Sequence, residues 1–237
     1  MSKKPYNPLM KIFFLGPEGT NSDLAARNIF KDGADYKPLS SIEDIFEKVA
    51  MSHSYYGVIP FENSYQGVIN SSLNCLIDYD LKILKEFNFS VSHNLCSINK
   101  NCDLDAIKKI TSHPQVFGQC ANWMRNNIPN AEKVVATSTA EAASQAVKDK
   151  DLFCIANSYA IKIFNLYTHL ENIQDSNDNK TRFLVIGKSI EEKSDQNKTS
   201  VMINIVDKPG SLMSILQPFT ELNINMTRIE TRPSRNN

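Results

Sequence analysis

The chain has 237 residues, of which 41% are hydrophobic and 22% are charged, and this composition is typical of a globular protein that forms two compact units or one two-lobed unit. Lysine plus arginine and aspartate plus glutamate both number 26, so no excess of positive charge favours a nucleic acid, and we expect no such partner. The segment MSKKPYNPLM lacks the apolar part of a signal peptide, and no apolar stretch reaches the ~20 residues that span a bilayer, which predicts a cytoplasmic protein without a membrane partner.

The cysteines indicate neither a metal site nor a disulfide framework. They are five in number, and none forms a CxxC pair or a Cys/His spacing suited to zinc. We interpret them as reduced thiols in the core. They are Cys75, Cys96, Cys102, Cys120 and Cys154.

Short apolar runs alternate with segments of helical period, which indicates an α/β architecture. KIFFLG precedes a helix predicted over about residues 22–31, GVIPFEN precedes one that starts near Val68, and AIKKITS precedes one over about residues 115–127. KVVATS leads into the helical segment TAEAASQAVKD, and LFCIA leads into SYAIKIFNL. Strand-to-helix junctions therefore follow one another along this part of the chain.

Two segments interrupt the alternation. Residues 81–98 form a run too long for one local strand, and residues 167–187 are polar until their final strand. An outward crossing and a later return predict two α/β lobes that are joined by two strands and separated by a cleft. This prediction places the domain at residues 8–187, with lobe 1 at about 8–85 plus 180–187 and lobe 2 at about 95–170.

A smaller unit is predicted after this domain. Residues 188–199 are charged and lack apolar periodicity, which is typical of a linker. In residues 200–237, the runs SVMINIVD, KPGSLMSILQPFTEL and NINMTRIETRP indicate a strand, a helix and a strand.

Ser, Thr and Asn are concentrated where four predicted strands meet their helices, in GPEGTNSD, ENSYQG, TSHPQ and TSTAE. In open α/β sheets, ligands bind beyond the carboxyl ends of strands, where free backbone N–H groups and the positive end of the helix dipole favour anions. Four such entrances that face one cleft suit a small ligand with more than one carboxylate or phosphate.

The same residues also have a structural interpretation, because Ser, Thr, Asn and Asp are the usual helix N-caps. Ser138 and Glu141 match the capping box S-x-x-E, and any one junction is more often structural than functional. His113 is either a general base or a residue that holds loop backbone, and Glu62 is interpreted as an organiser of its loop rather than an acid catalyst.

Taken together, the motifs resemble those of the prephenate dehydratase family. The runs that carry the resemblance occur in the family's order and cover nearly the whole chain: FLGPEGTNSDLAA, GVIPFENSYQGVIN, SHPQVFGQC, STAEAA, NIQDSNDNKTRFLVIG, DKPGSLMSIL and IETRPSR. The resemblance implies a two-lobed fold similar to the type II periplasmic binding proteins, followed by an ACT domain that senses phenylalanine. It also implies a carbon–oxygen lyase that converts prephenate to phenylpyruvate without a cofactor or a metal, because aromatisation drives the reaction.

The resemblance gives Thr181, the threonine of the TRF motif, the role of hydrogen-bond donor to the departing hydroxyl group. Arg182 would pair with a substrate carboxylate or brace the two lobes, and both roles are open. The other residues placed in the cleft are Thr20, Ser22, Asn63, Ser64, Ser112, Gln119, Ser138 and Thr139, and those that would shape its loops are Glu62, His113 and Gln115. The implied effector-binding residues are Gly210, Ser211, Leu212, Glu230, Arg232 and Pro233.

The C-terminal segment departs from the family pattern. An ACT domain is a βαββαβ unit, whereas residues 200–237 suffice for βαβ only, and the absent third strand would lie between the first two. We therefore expect an incomplete ACT unit that is loosely held, and a homodimer or homotetramer if another chain completes the sheet.

No chorismate mutase segment precedes residue 11, so we expect no fused second enzyme. Two alternative functions stay open. One is arogenate dehydratase, which shares the motifs and acts on a side chain that bears an amine instead of a keto group. The other is a non-catalytic protein that binds a small carboxylate ligand.

Overall fold

The computed structural model describes residues 10–31, 33–189 and 197–232, and the chain divides into two compact units, Met1–Glu191 and Glu192–Asn237. In the described ranges, the first unit contains two β-sheets with helices, and the second contains one helix. None of the helices in these ranges is long and apolar enough to cross a membrane.

Lobe 1 is built on a sheet in which the last strand of the unit lies in the interior. Numbered in chain order, its strands are β1 (Lys11–Leu15), β2 (Asp35–Leu39), β3 (Tyr55–Asn63), β4 (Gly67–Val68), β5 (Lys82–Ser90) and β11 (Lys180–Gly187). Their order is β2-β1-β3-β11-β5, and β4 pairs with β3. β1 is parallel to β2 and β3, whereas β11 is antiparallel to β3 and β5.

Lobe 2 repeats this arrangement. Its strands are β6 (Asn94–Ser97), β7 (Lys109–Ser112), β8 (Glu132–Val135), β9 (Leu152–Ala156) and β10 (Tyr167–Leu170), in the order β10-β6-β9-β7-β8. β7 is parallel to β8 and β9, and β6 is antiparallel to β9 and β10. The two-lobed α/β fold expected from the sequence is confirmed, because the chain leaves lobe 1 after β5 and returns to it at β11.

The helices of the first unit are α1 (Asn21–Phe30), α2 (Ile42–Val49), α3 (Asn70–Asp78), α4 (Pro114–Gln119), α5 (Ala121–Asn127), α6 (Thr139–Lys148) and α7 (Ser158–Ile163), and a 3-10 helix covers Leu104–Ala106. The α-helices follow the predicted strand-to-helix junctions except α2, which was not predicted, and the helix predicted over about residues 115–127 is divided at Cys120 into two helices. The side chains of Thr20, Ser41, Ser138 and Asn157 each accept a backbone N–H of the first turn of the helix that follows. These caps satisfy donors that have no partner within the helix, which explains where the helices start.

Strand β11 is buried on both faces of the sheet of lobe 1. Phe183 packs in one apolar cluster with Ala25 of α1, and Leu184 packs in another cluster with Ile45 of α2. Successive side chains of a strand point to opposite faces. Thr181 therefore lies on the face of Phe183, called here the α1 face, and the next residue along the strand lies on the opposite α2 face.

The second unit contains α8 (Ser211–Glu221), which confirms the predicted helix. The prediction of two strands is wrong for residues 200–207 and 223–232, which form no strand. A strand needs a neighbour for its backbone N–H and C=O groups, and apolar side chains such as Val201 and Ile229 are exposed. Residues 190–196 of the predicted linker lie outside the described residues.

Candidate functional site

The two crossings between the lobes lie side by side. The Val91 N–H donates to the Asn179 carbonyl oxygen at 3.0 Å, and the Ile173 N–H donates to the His93 carbonyl oxygen at 2.8 Å. These bonds join the outgoing crossing after β5 to the returning crossing before β11. The chain therefore re-enters lobe 1 at the TRF motif, next to the backbone hydrogen bonds that join the two crossings.

Asn63, the last residue of β3, determines the hydrogen bonding of Thr181. Its Oδ1 accepts from the backbone N–H groups of Tyr65 at 3.0 Å and Gln66 at 3.3 Å. Because a backbone N–H can only donate, the carboxamide must present Nδ2 on its other side. There, Nδ2 donates to Thr181 Oγ1 and to Asn179 Oδ1, each at 3.0 Å. Asn63 and Thr181 are 7% and 9% exposed, so these bonds are shielded from water.

The same polarity extends into lobe 2 through two more carboxamides. Asn179 Oδ1 accepts from Asn63, so its Nδ2 is free to donate to Gln119 Oε1, 2.9 Å away. Gln119 Oε1 also lies 2.6 Å from Nε2 of His93, which must carry the hydrogen because the oxygen can only accept. Burial lowers the pKa of His93 by more than its hydrogen bond with Gln119 raises it, which favours the neutral imidazole.

This network leaves Thr181 with one hydrogen to donate. Its Oγ1 accepts from Asn63, and no acceptor for the hydroxyl hydrogen lies within hydrogen-bonding distance in the described part of the chain. A hydroxyl group has one hydrogen and two lone pairs, so Thr181 can donate to a ligand. Gln119 is in a similar position, because both of its bonds use Oε1 and its Nε2 has no partner among the described residues.

The turn before α1 joins lobe 1 to lobe 2. Gly19 has a φ of +87°, and a Cβ at this position would lie 3.3 Å from Ala140 Cβ in α6 and 3.5 Å from Ala160 Cα in α7. Glycine suits both the left-handed backbone and the close approach. Asn157 donates from Nδ2 to the Gly19 carbonyl oxygen at 2.9 Å and to Asn21 Oδ1 at 3.1 Å. The N-terminal ends of α1, α6 and α7 therefore meet at this turn.

A buried ion pair supports the same turn. The Asp23 carboxylate, which is 0% exposed, accepts from the Gly19 N–H at 2.9 Å and pairs with Arg27 Nε at 2.7 Å. Burial alone would lower the pKa of Arg27, but the hydrogen bond and the charge of Asp23 raise it overall. The guanidinium lies 4.5 Å from the ring centre of Tyr36 in lobe 1 and 5.1 Å from that of Tyr159 in lobe 2. The charged guanidinium of Arg27 thus contacts an aromatic ring in each lobe.

Some of the predicted cleft hydroxyl groups are used within the protein and others are not. Thr20 donates to the carbonyl oxygen of the last residue of β1 at 3.0 Å, and Ser112 donates to a carbonyl oxygen in β9 at 2.8 Å. Ser138 accepts a backbone N–H of α6 at 3.0 Å, as its capping box predicts. Ser22 and Thr139, in the first turns of α1 and α6, have no side-chain hydrogen bond within the described ranges. These last two residues have hydroxyl groups to offer a ligand.

Two other predicted residues hold backbone. His113 caps α4, and its Nδ1 accepts from the Gln115 N–H at 3.2 Å. Ser64 Oγ donates to the Asp178 carbonyl oxygen and accepts from the Lys180 N–H, each at 3.0 Å. Of the two interpretations of His113, these contacts favour the one in which it holds a loop. Ser64 ties the end of β3 to the start of β11.

Arg182 lies on the α2 face, opposite Thr181, and two carboxylates contact it. Its Nη2 pairs with Glu86 of β5, and its Nη1 lies 3.7 Å from Oε2 of Glu62 of β3. The guanidinium carbon also lies 5.2 Å from the ring centre of Phe61. These contacts connect β3, β11 and β5 of a single sheet. They favour a brace over a substrate ligand, and the brace acts within lobe 1 instead of between the lobes.

The sequence indicates no function for three residues of the site, although one of them, Asn179, lies in the run NIQDSNDNKTRFLVIG. Asn157 precedes a helix, so the N-cap preference is a signal for its structural role alone. Asn179 lies in a polar tract, and His93 lies between two strands. Their partners are 138, 60 and 26 residues away respectively, so only the folded chain brings these contacts together.

The implied effector-binding residues belong to the second compact unit. Gly210, with a φ of +85°, is the N-cap of α8, and Ser211 and Leu212 lie in the first turn of that helix. Glu230 and Arg232 are exposed, and Pro233 lies outside the described residues.

Residues 12–191 match the family described as prephenate dehydratase. The bifunctional chorismate mutase/prephenate dehydratase of Pseudomonas aeruginosa is 35% identical over 226 residues, which cover 95% of this chain and 62% of that relative. The solved prephenate dehydratase of Staphylococcus aureus is 31% identical, with a TM-score of 0.79 and coverage of 94% of this chain and 84% of that one. The prephenate dehydratase of Arthrobacter aurescens, solved in complex with L-Phe, is 26% identical, with a TM-score of 0.79 and coverage of 95% and 77%. This chain therefore spans less than two thirds of the bifunctional relative.

Proposed function

The chain belongs to the prephenate dehydratase family, and on this premise we propose that it converts prephenate to phenylpyruvate in the synthesis of L-phenylalanine. The single observation that carries the proposal is the state of the Thr181 hydroxyl group. Its oxygen accepts a hydrogen bond from Asn63, and its own hydrogen has no acceptor among the described residues. The Thr181 hydroxyl group is therefore a positioned hydrogen-bond donor for the departing hydroxyl group of the substrate.

The proposed reaction removes the ring carboxylate as CO2 and the ring hydroxyl group as water. The electron pair of the broken C–C bond enters the ring, the C–O bond breaks at the opposite ring carbon, and the departing hydroxide takes up one proton. Formation of the aromatic ring drives the change, so the protein needs to orient the substrate and stabilise the leaving group. An unassisted threonine is a poor acid, so Thr181 acts as a positioned donor and the proton of the water product comes from solvent.

The N-terminal ends of α1 and α6 suit the two carboxylates of prephenate. Both helices have free backbone N–H groups in their first turns, and the positive end of each helix dipole favours an anion. Ser22 and Thr139 add hydroxyl donors at these two ends, and Gln119 Nε2 adds a carboxamide donor beside the Thr181 network. The site thus combines neutral donors for the anionic groups with one donor for the leaving group.

The direct test is to incubate the protein with prephenate and measure phenylpyruvate and CO2. We expect both products in equal amounts. Competition between prephenate and arogenate distinguishes the main proposal from arogenate dehydratase. Tight binding of prephenate without conversion, measured by calorimetry, would instead indicate a non-catalytic carboxylate-binding protein.

The brace formed by Arg182 leads to a separate prediction. Arg182→Gln should lower the free energy of unfolding by about 1–3 kcal/mol, because two partly buried carboxylates lose their shared cation. Denaturant unfolding measures this change. The KM for prephenate should stay within about threefold, because Arg182 lies on the face opposite Thr181.

Lys180→Gln is the matched control for this prediction. Lys180 lies on the same strand and is exposed, so its loss should change stability by no more than about 0.5 kcal/mol. A rise in KM of about tenfold or more in Arg182→Gln, with stability unchanged, would show that Arg182 is a substrate ligand.

We also propose that L-phenylalanine is an effector of this chain, that it binds at Gly210 and its neighbours, and that the enzyme acts in the cytoplasm. The support for the effector is the match of DKPGSLMSIL to the family and the L-Phe complex of the A. aurescens relative. Equilibrium dialysis with L-phenylalanine tests the binding, and light scattering with and without it tests for a homodimer or homotetramer.

A further inference from the structure

His93 is a buried imidazole that the proposed reaction does not use directly. It lies in the outgoing crossing between the lobes and is 2% exposed. Its Nε2 is 2.6 Å from Gln119 Oε1, and its backbone N–H donates to Gln174 Oε1 at 3.0 Å. Its Nδ1 is buried and has no hydrogen-bond partner among the residues that the structure describes. A phenylalanine would fill similar space without an unpaired polar atom, so packing alone does not account for the imidazole.

The network determines the tautomer of this imidazole. Gln119 Oε1 accepts from Asn179 Nδ2 at 2.9 Å, so the bond to His93 requires a hydrogen on Nε2. In the neutral ring, Nδ1 is then the unprotonated acceptor. The oxygen of Gln119 is therefore held between two donors, one from each crossing.

We propose that His93 is a positioning residue for the dehydratase reaction, and that its Nε2–H orients the Gln119 carboxamide so that Gln119 Nε2 donates to the substrate. A carboxamide whose oxygen accepts one hydrogen bond can turn about that bond. A carboxamide whose oxygen accepts from two donors cannot turn without losing one of the two hydrogen bonds. Asn179 transmits the same restraint to Asn63 and Thr181 through the bonds described above. His93 does not contact the substrate. The inference rests on the proposed function.

The kinetic test compares His93→Leu with His93→Gln. Leucine removes the donor, so kcat for prephenate should fall on the order of 10- to 100-fold, the loss typical when an outer hydrogen-bond partner of a site is removed. KM should change by less than about threefold, because the residues that contact the substrate remain in place and only the orientation of the Gln119 carboxamide is lost. Glutamine places a carboxamide N–H near the position of Nε2 and should restore kcat to within about fivefold of the wild type.

His169→Gln is the matched control. His169 is a partly buried histidine of β10 whose Nε2 lies 2.8 Å from Ser97 Oγ, and burial lowers its pKa as well. It has no bond to the network, so kcat should not change. A folded His93→Leu variant with wild-type kcat, or a His93→Gln variant that is no better than His93→Leu, would overturn the proposal.

A second measurement does not depend on activity. Nitrogen-15 NMR of histidine-labelled protein at pH 7 should show His93 as the neutral tautomer with hydrogen on Nε2, identified by loss of its signal in His93→Gln. The opposite tautomer, or an imidazolium, would overturn the proposal even if His93→Leu fails to fold. If the wild type shows the expected tautomer but does not convert prephenate, the proposed function fails while the hydrogen-bond assignment stands.

Discussion

Thr181→Val should lower kcat for prephenate by about 10²–10³-fold, the loss that follows removal of one positioned hydrogen-bond donor from a catalytic site. Valine keeps the branched shape of threonine, so β11 should remain packed, but it has no hydrogen to give to the departing hydroxyl group. Asn63 Nδ2 keeps Asn179 as an acceptor and loses Thr181, so the free energy of unfolding should fall by only about 1 kcal/mol. Steady-state kinetics and thermal unfolding measure the two effects separately.

Thr181→Ser is the matched control, because serine keeps the hydroxyl group and loses one methyl group. It should retain turnover within about tenfold of the wild type, since the donor remains and only its rotamer is less restricted. Equal losses in the serine and valine variants would mean that the shape of Thr181 matters and its hydrogen does not. A folded valine variant with wild-type turnover would remove Thr181 from the mechanism.

Asn63→Asp should cause the second largest loss, about 10²-fold in kcat, although it changes a single NH2 group to an oxygen. An aspartate at this position can still accept from the backbone N–H groups of Tyr65 and Gln66. Its second oxygen, however, would face Thr181 Oγ1 and Asn179 Oδ1 as an acceptor. The Thr181 hydrogen would then bond to the aspartate and would no longer be free for the substrate. The apposed oxygens should also cost about 1–3 kcal/mol of stability.

The pH dependence of this variant gives a further check. Protonation of the new carboxyl group gives it one hydrogen to donate, so activity relative to the wild type should rise as the pH falls. Asn88→Asp is the matched control, because Asn88 is an exposed residue of β5 that pairs in register with Arg182 on the α2 face. It should leave kcat unchanged. An Asn63→Asp variant with wild-type kcat, or with the same relative loss at every pH, would contradict the assigned polarity.

The architecture could largely be predicted from the sequence because its signals are local. Most of the predicted junctions combine an apolar run with a side-chain cap and a helical period, the exception being α3, whose N-cap is Ile69. The interrupted segments identify the two crossings. The pair β2–α2 was not predicted. β2 is an edge strand, DYKPL, with no buried side chain, so it has little signal in the sequence. α2 was missed although its amphipathic pattern, with Ile45 and Phe46 buried, was sufficient to predict it.

The site could be predicted only as a set of residues. The motifs identified Asn63, Gln119 and Thr181, which the structure brings into one network. The direction of each hydrogen bond depends on partners that are distant in the sequence, and no local pattern specifies it. Asn63 and Thr181, for example, are 118 residues apart. Ser112 shows the converse, because its residue type suits a ligand site and its hydroxyl group donates to a backbone carbonyl oxygen.

The interior position of β11 has a consequence for how the protein is made. A ribosome completes all five strands of lobe 2 before it reaches β11, whereas the sheet of lobe 1 must wait, because β11 lies between β3 and β5. Until β11 emerges, β5 has no strand to pair with in that sheet. Thr181 arrives on the strand that closes the gap. A nascent chain therefore has a complete second lobe before it has the Thr181 hydroxyl group, and the proposed site forms only when synthesis of the whole first unit is finished.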